Sequence, residues 1–279
     1  MINYSIIIPH KNSPELLDRC LASIPQRNDI EIIVVDDYSE ENRRPQINRE
    51  DVDVIYITKE ESKGAGHARN VGIEAATGIW LVFADCDDYY INNAFDKLDA
   101  FRETEYDIIF YDYDTNNDTV PTAFANKLNA MFQGKRNARA NLKHYSNAPW
   151  NRMFRAEFIK KYNILFEEVP IQNDAYFVHK ASYLTDNFNC INEKLYFYEI
   201  NNNGITRKKK RDIEDIKRCV TTTIKVDKLK AKSKAWKCIY WYLNEQYKTD
   251  YGVLFYYQQQ LRRIKHGLIG YMINKFIIA

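Results

Sequence analysis

Three carboxylates in four positions, Asp85, Asp87 and Asp88, follow directly on the apolar run Trp80-Leu81-Val82-Phe83-Ala84. Such a run reads as a strand buried on both faces. Burying an unpaired carboxylate costs on the order of several kcal/mol, so the acids belong at the strand's C-terminal end, in water or on a cation. In an open α/β sheet that end is where ligands bind. Asp85 and Asp87 are spaced i, i+2, which in extended backbone sends both side chains to one side. Two hard oxygen ligands so placed suit Mg²⁺ or Mn²⁺, with a diphosphate completing the shell. The motif alone equally fits a solvated, Asp-rich turn.

The elements that would position this edge alternate along the chain. Tyr4-Ser5-Ile6-Ile7-Ile8-Pro9 is a β-branched strand stopped by Pro. Ser13 and Pro14 read as the N-cap and first residue of a helix that carries Leu16, Leu17, Cys20, Leu21 and Ile24 on one face. Ile30-Glu31-Ile32-Ile33-Val34-Val35 is a second strand and ends in Asp36-Asp37; residues 52–57 form a third. A helix from Gly64 to Gly78, a helix over 94–102 and a strand at Ile108-Ile109-Phe110-Tyr111 follow. Strands alternating with helices predict an α/β fold, a mostly parallel sheet flanked by helices. Asn12, the Asp36-Asp37 pair and Asp85-Asp87 then share one sheet edge as a polar crevice.

Gly64-Ala65-Gly66-His67-Ala68-Arg69 invites comparison with the dinucleotide fingerprint G-x-G-x-x-G. Arg69 stands where the third Gly belongs, and the motif follows the third strand, not the first, so that reading is set aside. Two readings remain from this segment. One is a Gly turn whose backbone N–H groups, with Lys63 and Arg69, face phosphate. The other is a plain helix start.

The chain has 279 residues, 45% of them hydrophobic and 14% aromatic, enough for one large domain or a domain plus an appendage. Its five Cys form no C-x-x-C pair and read as reduced thiols of a cytoplasmic protein. No signal-peptide pattern and no spanning apolar run is expected. Net charge is +2, unevenly spread. Residues 207–279 hold 18 Lys/Arg against 6 Asp/Glu; subtracting these from the totals of 40 and 38 leaves 22 against 32 in residues 1–206. The basic tail points to a polyanionic surface. With no recognition motif and no globally basic domain, nucleic acid is not expected as a partner.

Four blocks in order resemble the signatures of the inverting glycosyltransferase family 2. They are Ile6-Ile7-Ile8-Pro9-His10-Lys11-Asn12, Val35-Asp36-Asp37-Tyr38-Ser39, Gly66-His67-Ala68-Arg69-Asn70-Val71-Gly72 and Asp85-Cys86-Asp87-Asp88. The resemblance implies a GT-A (Rossmann-like) fold and a nucleotide-diphosphate sugar donor. It implies donor contacts from Pro9, His10, Asn12 and Asp37, with Asp37, and less directly Asp36, on uracil or ribose. His10-Lys11 replaces the family's usual aromatic, and His10 itself could stack on the base. Lys63 and Arg69 would neutralise phosphate, Asp85 would lie by the ribose and diphosphate, and Asp87 would be the metal ligand beside Asp85. Trp150-Asn151-Arg152-Met153-Phe154-Arg155 and Gln172-Asn173-Asp174-Ala175-Tyr176-Phe177 resemble two further family blocks, the second with Asn173 in place of Glu. From these the resemblance implies Asp174 as the catalytic base and Trp150 as an acceptor-sugar platform. A helix N-cap for Asp174 and a core ring for Trp150 are the structural alternatives. Leu195-Tyr196-Phe197-Tyr198 matches a family strand, and Arg207 in the loop after it would reach the diphosphate.

The expected organisation is a catalytic domain over 1–206, with a nucleotide-binding half (1–112) and an acceptor-binding half (113–206), then a basic helical region over 207–279. The expected function is transfer of a sugar from a UDP-sugar, with a divalent cation, to a glycan or lipid-linked acceptor in surface polysaccharide synthesis. Two readings of the tail stay open: a helix lying on the inner face of an anionic membrane, or one docked on the core or on a second subunit of a homo-oligomer. Two competing functions are a sugar-phosphate nucleotidyltransferase, which usually has a Gly-rich loop where His10-Lys11-Asn12-Ser13 stands, and a non-catalytic nucleotide-sugar-binding scaffold.

Overall fold

The β-branched and aromatic runs pair into a single eight-stranded sheet in the computed structural model. It describes residues 1–116, 119–200 and, beyond them, Asp215, Arg218, Cys219, 221–223, Lys225, Val226 and Leu229. The strands are β1 (Tyr4–His10), β2 (Ile30–Asp36), β3 (Val52–Tyr56), β4 (Trp80–Phe83), β5 (Tyr89–Tyr90), β6 (Ile108–Thr115), β7 (Arg152–Arg155) and β8 (Phe188–Tyr198). Their order in the sheet is β3-β2-β1-β4-β7-β6-β8-β5. The helices are α1 (Pro14–Ala22), α2 (Ala65–Ala75), α3 (Ala94–Leu98), α4 (Thr119–Phe132), α5 (Ala138–Lys143), α6 (Ala156–Lys161) and α7 (Ala175–Leu184). The expected C-terminal region over 207–279, Arg207 included, falls almost wholly outside the described residues.

β3, β2, β1 and β4 are parallel, as the alternation predicts. Ile6, Ile7 and Ile8 on β1, Val34 and Val35 on β2 and Leu81, Val82 and Phe83 on β4 are fully buried. Burying an aliphatic or Phe side chain contributes about 1.5–3 kcal/mol, so these three strands anchor the core. β1 lies between β2 and β4, and the chain leaves it on opposite sides in turn. That reversal opens a crevice at the C-terminal strand ends.

Beyond β4 the sheet is mixed, not mostly parallel. β7 enters antiparallel between β4 and β6, with Leu81 opposite Phe154 and Ile109 opposite Met153. Arg at both ends of this four-residue strand masks it in the sequence. β6 and β8 are parallel, with register shifts around Asp112. The helix expected over 94–102 is α3 followed by a 3₁₀ turn, Asp99–Phe101. Ser13 occupies the N-cap of α1 without capping it; its hydroxyl donates to the Lys11 carbonyl at 3.2 Å.

α2 lies directly on β1. A Cβ at Gly72 would stand 2.4 Å from the buried Ile7 Cγ2. Gly→Ala inside a helix ordinarily stabilises by about 1 kcal/mol. Here the sign should reverse: Gly72→Ala should cost about 1–3 kcal/mol through overpacking. Urea midpoints test this, and an unchanged or raised midpoint would contradict the contact.

Candidate active site

The tips of β1 and β2 are tied to each other before they meet any ligand. The Ser13 N–H donates to His10 Nε2 at 3.1 Å, so the ring proton sits on Nδ1 and is donated to Asp36 at 2.7 Å. Asp36 also accepts from the Ser39 hydroxyl at 2.5 Å and the Ser39 N–H at 3.0 Å. Burial raises its pKa, but the bonds from His10 and Ser39 outweigh that and hold it below the usual carboxylate range. His10 is 2% exposed with both ring nitrogens engaged, so it braces the strand tips and presents no face on which a base could stack. Pro9 lies within buried β1 one residue before it. Asn12, at φ +55°, accepts the Glu40 N–H on its side chain and donates its own N–H to Ser39. Asp37 differs from Asp36. Its Oδ2 receives Lys11 at 3.2 Å, while its buried Oδ1 has no partner among the described residues. A buried acceptor left so is a place for a ligand donor.

The β4 tip carries the expected acids, and they divide by role. Asp88 is fully buried and fully bonded: Oδ2 accepts the Tyr196 hydroxyl at 2.9 Å and Oδ1 the Glu199 N–H at 2.8 Å. Tyr196 in turn accepts the Asp85 N–H at 3.0 Å, so the end of β8 holds the turn in shape. Arg19 of α1 bonds the Asp87 carbonyl and pairs with Glu199. Asp85 and Asp87 remain half-buried. Burial and then the charge on Asp85 push the Asp87 carboxyl up to about 6. Tyr196 and Arg19 are supporting residues that sequence reasoning missed. Nothing local marks them, because their partners lie 111 and 68 residues away.

Arg69 joins this tip to the second half. From α2 it donates to Asp85 Oδ1 at 2.5 Å and to Asn173 Oδ1 at 2.8 Å, its plane near the Phe166 ring. Gly66 lets the helix come this close, since a Cβ there would meet the Glu167 carbonyl at 2.2 Å and Asn173 Cβ at 2.9 Å. Lys63 is turned to Glu168 at 3.1 Å, a carboxylate shared with His67. Asp174 follows Asn173 at the N-cap of α7, but its side chain makes no cap bond. Burial pushes its carboxyl up to about 6, with Arg69 opposing and Asp85 reinforcing the shift. So Asp85, Asp87, Arg69 and Asp174 are drawn together in one polar region, while Asp37 at the β2 tip is held by Lys11.

Trp150 is placed otherwise than a sugar platform requires. It is 7% exposed, stacked on Tyr196 and Tyr198 and met edge-on by Tyr113. A platform needs an open face, so the core reading fits the geometry.

A divalent cation fits the donor set at Asp85 and Asp87: hard carboxylate oxygens, one of them with its pKa raised by burial and then by the charge of the other. Among the described residues no group of three His, Cys, Asp or Glu side chains could hold a metal. The protein would therefore supply one or two ligands and a bound phosphate the others, the usual arrangement for Mg²⁺.

The raised carboxyls have a consequence for stability. An acid whose folded pKa lies above its unfolded value of about 4 favours the fold while protonated. That contribution is lost as pH rises from about 4 to about 6 and stays lost above. In EDTA, Asp87→Asn should gain stability relative to the parent by about 1–3 kcal/mol between pH 4 and 7.5. Urea denaturation at both pH values measures it; a difference that shrinks with rising pH would show that Asp87 is stabilised, not strained, when charged.

Comparison with known proteins bears on this geometry. The family model described as Glycosyl transferase family 2 matches residues 5–162. The uncharacterized glycosyltransferase EpsJ of Bacillus subtilis is 28% identical over 228 residues, covering 72% of this chain and 62% of EpsJ. The Escherichia coli UDP-Glc:α-D-GlcNAc-diphosphoundecaprenol β-1,3-glucosyltransferase WfaP is 33% identical over 112 residues, 39% of this chain and 44% of WfaP. The aligned regions thus span less than two thirds of these relatives. The crystal structure of Staphylococcus aureus TarS 1–349 in complex with UDP-GlcNAc has the same fold, with a TM-score of 0.69 at 18% identity over 96% of this chain and 81% of that one. With more than half its length matched by the family model, the chain belongs to glycosyl transferase family 2.

Proposed function

We propose that this chain is an inverting glycosyltransferase that moves a sugar from a UDP-sugar to a hydroxyl of a glycan or lipid-linked acceptor in surface polysaccharide synthesis. The observation that carries the reading is Asp174. It is a half-buried carboxylate, pushed up to about 6 chiefly by burial, making no side-chain cap bond to α7 and within electrostatic reach of the Arg69–Asp85 pair. A base for single displacement needs that combination: an available oxygen, and a pKa below but near neutral.

In this mechanism the acceptor oxygen attacks the anomeric carbon from the face opposite the diphosphate. Asp174 takes its proton, the anomeric C–O bond to the diphosphate breaks, and configuration inverts. Asp37 Oδ1 accepts a donor hydrogen from the base or ribose. Arg69 sets a fixed positive charge beside Asp85, and Lys63 swings from Glu168 to the diphosphate. Asp87 and Asp85 would hold a divalent cation, which would supply charge stabilisation on the leaving group. Arg207 is proposed as a further diphosphate contact. The donor assignment draws support from the UDP-GlcNAc complex of TarS and the UDP-Glc donor named for WfaP. WfaP's diphosphoundecaprenol acceptor supports a lipid-linked partner, for which the basic tail would supply contact with the inner membrane face. Among the described residues no helix is long and apolar enough to cross a membrane.

Incubation with a panel of UDP-sugars, Mn²⁺ and membrane lipid acceptors should release UDP, and EDTA should abolish the release. Asp174→Asn should lower kcat by about 10²–10⁴-fold while leaving UDP affinity within a factor of about three. Turnover that survives Asp174→Asn would remove the base assignment. Absence of transfer with every donor, alongside intact UDP binding, would instead favour the scaffold reading.

A further inference from the structure

Asp37 and Lys11 leave a hydrogen-bond acceptor and a donor unspent side by side at the tip of β2. Asp37 is 4% exposed, and its buried Oδ1 has no partner among the described residues. Its Oδ2 is held by Lys11 Nζ at 3.2 Å. Lys11 also donates to the Ser62 hydroxyl oxygen at 3.3 Å, and that hydroxyl donates onward to the Asp37 carbonyl at 3.4 Å. An ammonium carries three N–H donors, so one remains after these two bonds. The Lys11 side chain is about half exposed, and Tyr38 next to Asp37 is exposed, so both can shift to admit a ligand.

Position along the sheet edge decides which part of a nucleotide meets this pair. β1 separates β2 from β4, so the Asp37 tip lies two strand spacings, about 10 Å, from the acids at the β4 tip. With the diphosphate at β4, the ribose spans that gap and the base reaches β2. Uracil presents N3–H beside a carbonyl oxygen, a donor next to an acceptor, and so complements Asp37 Oδ1 and the free Lys11 N–H. Cytosine presents an acceptor at N3 beside an amino donor, which sets acceptor against carboxylate and donor against ammonium. Adenine has the same reversed polarity. Guanine repeats the uracil pair at N1–H and O6 but adds a second amino donor, and the carboxylate oxygen that could take it is already held by Lys11. We infer that Lys11 is a specificity-determining residue that, with Asp37, reads the uracil edge of the donor. His10-Lys11 stands where the family usually has an aromatic, and His10 is sealed with both nitrogens engaged. Paired hydrogen bonds then do here what a stacked ring would do. The inference rests on the nucleotide-sugar reading of the site and adds to it the residue that selects the base.

Calorimetric titrations with UDP, CDP and uridine, in saturating Mn²⁺, compare the parent with Lys11→Met, which removes the donor, and Lys11→Arg, which keeps one. The parent should bind CDP at least about tenfold more weakly than UDP, because a mismatched edge leaves polar groups unpaired. Lys11→Met should lose about tenfold for UDP and for uridine alike, and change less than about threefold for CDP. Lys11→Arg should hold UDP within about threefold of the parent. Equal losses for UDP and CDP in Lys11→Met would place Lys11 on the ribose. A loss for UDP without one for uridine would place it on the diphosphate. Either result, unchanged UDP affinity in Lys11→Met, or a parent that binds CDP as tightly as UDP would overturn the inference and leave the transferase reading in place. A parent protein that binds no UDP would overturn both.

Discussion

The Arg69 guanidinium bonds Asp85 at 2.5 Å and Asn173 at 2.8 Å, and so spans from the acids at the β4 tip to the loop that bears Asp174. The strand-tip side and the base-bearing side are far apart in sequence, and this bridge fixes the distance between them. A buried ion pair contributes little net stability, because desolvation offsets attraction; breaking one partner away is what costs heavily. The bridge is therefore better read as a constraint on geometry than as a source of stability. Around it Asn70 brackets Phe166, donating to its carbonyl at 3.0 Å and accepting its N–H at 2.8 Å. Lys225 pairs with Glu167 from the far side of the same loop at 2.7 Å.

The same region carries the tensions expected of a working site and not of a relaxed surface. Asp87 and Asp174 are both pushed up to about 6. Buried Asp37 Oδ1 and Arg69 Nε have no partners among the described residues. Asp36 and Asp88, by contrast, are satisfied on both oxygens. Adjacent acids in one sequence block thus separate into a bracing member and an available one. The bracing member closes the turn, and the turn aims its neighbour.

How much of this could be read from the sequence follows from what is local. β1, β2 and β4 were legible because burial on both faces leaves uninterrupted apolar runs, and their acidic ends followed from the cost of burying charge. Residues that act through distant contacts were not. Arg152 is fully buried on β7, its pKa pushed down to about 9 by burial, and nothing local in the sequence marks it as buried. β7 was missed with it, and so was its antiparallel pairing with β4 and β6. His10 could have stacked on a base and instead spends both nitrogens on Ser13 and Asp36; Trp150 could be a sugar platform or a core ring, and it is stacked on tyrosines. In each case residue type allowed either role, and only packing decides.

The central claim is that Asp85 and Asp87, at the tip of β4, form an incomplete cation site that a diphosphate completes. Calorimetric titration of Mn²⁺ with and without saturating UDP tests it most directly. By linkage each ligand must tighten the other equally. The account predicts weak Mn²⁺ binding to the protein alone and at least tenfold tighter binding with UDP, the enhancement being lost in Asp87→Asn. Mn²⁺ affinity that is the same with and without UDP would contradict it.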